Sequence, residues 1–137
     1  ERGVTVVEFP EHYTSDLLFY FDGKPRELTL YQCLEARMEE QFPEASVKVQ
    51  KTQISFYGRH LFAAVSLPLR RRKAWPEHCI LVTFGLSRRL ESPRVAVAVE
   101  PYPGRWTHHV VFSREEQADQ ELMDWIGEAF AFSQSKR

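Results

Sequence analysis

The sequence has only two cysteines, Cys33 and Cys79, and they lie far apart in segments that read as helix and strand. Two thiols without a framework exclude a disulfide-stapled scaffold and point to a reduced, intracellular setting, with the cytoplasm as the expected location. No apolar run is long enough to cross a bilayer. The longest nearly apolar stretch, residues 61–69, contains Pro68 and falls far short of the roughly 20 residues a spanning helix needs, so no membrane partner is expected. Residues 1–21 lack the basic start and long apolar core of a secretory signal. There is no glycine-rich phosphate loop, no G-x-S-x-G elbow, and no C-x-x-C or H-E-x-x-H metal spacing. Glu-x-Lys is absent as well, which counts against a metal-dependent nuclease. No cofactor is expected.

A chain of 137 residues is enough for one domain with a sizeable core. The formal charge of −1 hides a strong polarity. Residues 45–112 carry eleven basic side chains against three acidic ones, Glu77, Glu91 and Glu100, while the remainder carries seven against sixteen. A domain polarised in this way attracts anions despite its near-neutral total. Lys and Arg guarding exposed strands account for the same count.

The pattern of apolar residues predicts two helices, a run of strands and a last helix. Thr14 or Ser15 is placed to cap a short helix through Phe21, after a lead-in over residues 1–13. Asp22-Gly23-Lys24-Pro25 reads as a turn, and Pro25 suits the first position of a second helix running to about Phe42. Leu28, Tyr31, Leu34, Met38 and Phe42 give that helix one apolar stripe. Val47 and Val49 alternate with polar neighbours, as do Ile54 and Phe56, but in opposite phase, so a turn or bulge must lie around residues 50–53. Further strands are expected over residues 61–67, 78–84, 95–99 and 105–112. Ser113 and Glu116 form a capping-box pattern ahead of a last helix buried through Leu122, Trp125, Ile126, Ala129 and Phe130. The expected fold is α+β. It is a single domain over residues 14–133, a mainly antiparallel sheet of five or six strands with two N-terminal helices and one C-terminal helix packed on it. Residues 134–137 read as a tail.

Five segments carry a resemblance: Tyr20-Phe21-Asp22-Gly23-Lys24-Pro25; residues 49–56, Val-Gln-Lys-Thr-Gln-Ile-Ser-Phe; Leu61-Phe62-Ala63; Phe84-Gly85-Leu86; and Arg105-Trp106-Thr107-His108-His109-Val110. In order and spacing they resemble the bacterial domain of unknown function 5655 family, from about Leu18 to Phe132. The resemblance implies no established activity. It implies a domain that occurs alone or appended to others, so a protein partner or appended domain is among the expectations.

Candidate ligand-binding residues follow from geometry. On a regular strand Trp106, His108, Val110 and Phe112 share the face packed on helices, which leaves Arg105, Thr107 and His109 on the other. Lys51 and Thr52 sit at the phase change, where a bulge re-aims side chains toward an anion. Arg70, Arg71, Arg72 and Lys73, followed by Trp75, form a polyanion-contact candidate with a stacking aromatic. Ordinary hydrogen-bonded histidines, an exposed turn and a solvated hairpin tip explain the same residues in structural terms. A metal site from His60, His78 and His109 lacks carboxylate or thiolate partners. The leading expectation is a small binding or accessory domain for an anionic partner, either nucleic acid or a phosphorylated small molecule. The alternatives are a small enzyme with a His109/Thr107/Arg105/Lys51 pocket and a protein–protein assembly module.

Overall fold

The computed structural model describes residues 12–68, 72 and 74–135. Two helices open the fold, α1 (Tyr13–Tyr20) and α2 (Pro25–Gln41). Six strands follow: β1 (Ser46–Val49), β2 (Ile54–Tyr57), β3 (Leu61–Ser66), β4 (Ile80–Leu86), β5 (Val95–Tyr102) and β6 (Arg105–Phe112). A 3₁₀ turn (Glu115–Gln117) leads into α3 (Gln120–Gln134). The strands form one sheet in the order β1-β2-β3-β4-β6-β5, antiparallel at every pairing. The α+β architecture expected from the apolar pattern is the one found.

Two rows across the sheet define its faces. Val47, Phe56, Ala63, Phe84, His108 and Ala98 are successive cross-strand partners. The first five are buried, under helices α2 and α3 and the end of α1. One residue along, Lys48, Ser55, Ala64, Thr83, His109 and Val97 make the matching row on the opposite face. Period-two alternation thus separates His108 from His109 as the sequence predicts.

Helix boundaries have local causes. Pro25 is at the first position of α2, where its missing N–H costs nothing. The stripe of α2 begins with Glu27 and Leu30 in place of Leu28, which is only partly buried, and continues through Tyr31, Leu34 and Met38. Glu27 is tolerated inside because His78 Nδ1 lies 3.1 Å from its carboxylate. Neither Thr14 nor Ser15 caps α1. The cap position is His12, and the Ser15 hydroxyl donates to the His12 carbonyl instead.

The Ser113–Glu116 capping box also fails to form. The Gln117 side-chain oxygen accepts from the Ser113 and Arg114 N–H groups at 2.8 and 3.0 Å and closes the 3₁₀ turn. The chain then needs a second start, and Asp119 supplies it by accepting from Leu122 N–H at 3.0 Å. Partial burial works against this carboxylate. The Leu122 N–H and the Arg94 guanidinium outweigh it and hold Asp119 below its ordinary range.

The β2–β3 connection shows how tightly the layers meet. A bulge between Phe56/Tyr57 and Leu61/Ala63 turns Phe62 toward the helices, where it packs on Phe42 and Phe130 with ring centroids 5.2 and 5.0 Å apart. Gly58 passes under the same cluster. A Cβ there would lie 2.6 Å from the Phe130 ring. That ring is held from two other sides, so it has little room to give. Gly58→Ala is expected to cost about 1–3 kcal/mol of stability by overpacking, read from urea denaturation. A neutral change would show that Phe130 is not held as described.

Candidate functional site

The β1–β2 hairpin is built around one buried hydroxyl. Ser55 is fully buried although it lies on the face away from the helices. It accepts from Gln53 Nε2 at 2.8 Å and donates to Gln50 Oε1 at 2.6 Å, so it satisfies both ends of the connection. Gln50 N–H bonds the Gln53 carbonyl at 2.8 Å and closes the turn. Lys51 and Thr52 are left exposed at its tip. This four-residue connection is the physical reason for the phase change between Val49 and Ile54. From α1, the Tyr20 hydroxyl donates to the Thr52 carbonyl at 3.1 Å and braces the helix against the turn. Burial pushes the Tyr20 phenol up, so it stays a neutral donor.

Between these elements lies a cavity of about 820 Å³. Its walls are Asp16, Phe19 and Tyr20 of α1, residues 49–53 of the hairpin, and Ser66, Leu67 and Leu81 where β3 ends and β4 approaches. Lys51 and Thr52 are therefore brought to a cavity, with apolar side chains beside them. The α1 residues were missed at the level of sequence. One signal was present. Leu17 to Phe21 are five consecutive apolar residues, more than one buried helix face can absorb. Leu17 and Phe21 enter the core, while Leu18 and Phe19 remain 58% and 85% exposed.

The β6 candidates lie elsewhere on the sheet. His109 is half-buried on the face away from the helices, and its Nδ1 is 2.8 Å from the Thr83 hydroxyl. Burial lowers its pKa. Thr107 pairs with Gly85, and Arg105 pairs with Tyr102 at the far end of the strand. The cavity borders the end where β6 finishes, so Arg105 is about 20 Å away at roughly 3.3 Å per residue. None of the three lines the cavity. The structure thus joins Lys51 with Thr52 and does not join them with Arg105, Thr107 and His109.

Several of the described basic residues are engaged by partners within the fold. Arg88 forms a two-pronged pair with Glu128 at 2.8 and 2.9 Å. Arg94 pairs with Asp119 and Glu121. The Arg89 guanidinium lies over the Trp106 ring. Arg72 lies 5.5 Å from the Trp75 ring centroid, in a turn closed by Trp75 N–H on the Arg72 carbonyl. Arg70, Arg71 and Lys73 are outside the described residues. A second groove of about 610 Å³ runs between the first turns of α2 and residues 113–116, where Arg26 and Arg114 face the space together with Glu115 and Glu116. Among the described residues, no group of three or more His, Cys, Asp or Glu side chains is placed to hold a metal, and no helix is long and apolar enough to cross a membrane.

His108 has a structural role that its neighbour lacks. It is fully buried, stacks on Phe84 at 5.5 Å, and its Nε2 accepts from Leu90 N–H at 2.9 Å. It thereby pins the loop between β4 and β5. Burial, with Arg88 and Arg89 nearby, lowers its pKa, so it is neutral in the fold. The unfolded chain takes up the proton first as pH falls, so stability is full above the ordinary histidine value of about 6.5 and declines below it. His108→Ala is expected to cost about 1–3 kcal/mol and to make that decline shallower, with the share from His109, whose pKa burial also lowers, remaining. His109→Ala is expected to leave the midpoint nearly unchanged. Urea melts of both variants at several pH values check this, and a larger loss in His109→Ala would reverse the two roles.

No curated protein and no solved structure matches the chain. One family model does, over residues 20–133, which takes in α2, all six strands and most of α3. The match also covers the hairpin with Lys51 and Thr52, and of α1 it includes only Tyr20. The chain belongs to the family described as Domain of unknown function (DUF5655).

Proposed function

We propose that this domain is a non-enzymatic binding module for a small ligand bearing an anionic group, seated in the cavity between α1 and the β1–β2 hairpin. The observation that carries the reading is the cavity itself. Its volume of about 820 Å³ falls within the range of small-molecule sites, and Lys51 and Thr52 stand on its border beside Val49, Leu67 and Leu81. Lys51 offers a cation and Thr52 a hydroxyl, while the apolar wall receives the rest of the ligand.

A nucleic-acid partner has less support. Two arginines of the basic segment, Arg88 and Arg94, are already matched to carboxylates of α3 and its cap. Catalysis through His109 also has less support, since the cavity does not extend to that side chain.

The test is a titration with phenyl phosphate followed by amide chemical shifts. Shifts confined to residues 49–53, Phe19 and Leu81 are expected. Lys51→Ala should weaken binding by about fivefold, the equivalent of about 1 kcal/mol for an exposed charge pair. Leu81→Trp should weaken binding by narrowing the apolar wall of the cavity. Shifts centred on Arg105 and His109 instead would overturn the assignment.

A further inference from the structure

The cavity that carries the proposed function holds two charges of opposite sign, Lys51 on the hairpin and Asp16 on α1. Among the described residues, neither side chain takes part in an ion pair or side-chain hydrogen bond. Asp16 lies one helical turn before Tyr20, on the same side of α1, and the Tyr20 hydroxyl is fixed to the Thr52 carbonyl next to Lys51. Both charges thus border the same cavity as the Tyr20 ring. Phe19 adds a second ring at the mouth, 85% exposed.

This layout discriminates among anions. A ligand that is anionic throughout gains from Lys51 and is repelled by Asp16. A ligand with an ammonium as well as an acid satisfies both. Its apolar body meets the Tyr20 ring, Leu67 and Leu81. We infer that the cavity selects an aromatic zwitterion of the α-amino-acid type, its carboxylate toward Lys51 and Thr52 and its ammonium toward Asp16. This rests on the reading of the cavity as a ligand site and deepens it.

Each charge is solvent-exposed, so each contact is modest. An exposed charge pair contributes up to about 1 kcal/mol, which converts to about fivefold in affinity. The two contacts together should separate a zwitterion from either singly charged analogue by a similar factor.

The experiment compares three probes of nearly equal shape by amide chemical shifts: L-tryptophan, indole-3-propionate without the ammonium, and tryptamine without the carboxylate. L-Tryptophan should bind about fivefold more tightly than either analogue. Asp16→Asn should remove its advantage over indole-3-propionate, whose own affinity should stay equal or rise as the repulsion is lost. Lys51→Met should remove its advantage over tryptamine. Indole-3-propionate binding the wild-type cavity as tightly as L-tryptophan would overturn the zwitterion and leave the anion site standing. Tryptamine binding best of the three, with Lys51→Met without effect, would overturn both. The absence of shifts at the cavity with all three probes and with phenyl phosphate would likewise overturn both.

Discussion

β4 and β6 pair without interruption from Ile80 with Phe112 to Leu86 with Trp106. They are separated in sequence by the whole of β5, so their pairing inserts β6 between β4 and β5 and pushes β5 to the sheet edge. It also sets the phase for everything around them. Ile80, Val82, Phe84, Val110 and Phe112 fall on one side with His108, and that side is the one all buried helix stripes meet. A slip of β6 by one residue would put His109 under the helices and His108 in water. The bond from Leu90 N–H to His108 Nε2 works against such a slip, because only the observed register puts the imidazole beside that loop.

The position of the cavity is a consequence of this arrangement. α2 and α3 use the buried side of the central strands, so α1 is left to pack at the β1 margin. There it is too short and too apolar to bury all of its residues. Tyr13, Leu17 and Phe21 go inward, and Tyr13 is held by hydrogen bonds with Tyr31 and Glu35 of α2. Tyr20 reaches the hairpin, and Phe19 is left beside open space. The hairpin is in turn held by Ser55, whose two side-chain bonds fix residues 50–53. Two braced elements therefore face each other across the gap that forms the cavity.

The sequence makes the fold readable because its apolar periods agree with one another. Opposite phases at Val49 and Ile54 announce the hairpin, and the Trp106–Phe112 alternation separates the two histidines. What could not be read was whatever depends on competition between nearby residues. Ser113 and Glu116 have capping-box spacing, but Gln117 and Asp119 provide a better-satisfied pair of turns. Thr14 and Ser15 have cap chemistry, yet burial of Tyr13 starts the helix ahead of them. Of the site, Lys51 and Thr52 were legible as a pair, because a phase change marks them. Asp16 and Phe19 were not, since nothing in the chain says which side of α1 will meet the hairpin. The grouping of Lys51 with Arg105, Thr107 and His109 treated one sheet face as one place. A strand of eight residues is long enough to put its ends at separate sites.

The central claim is that the gap between α1 and the hairpin is where this domain takes a ligand. The most direct measurement is a crystal structure from crystals soaked with L-tryptophan and with phenyl phosphate. The account predicts density between Phe19 and Leu81, with an acidic oxygen of either molecule within hydrogen-bond distance of Lys51 Nζ. Density confined to the groove beside Arg26 and Arg114, or to the sheet face around His109, with the α1 cavity holding only solvent, would contradict it.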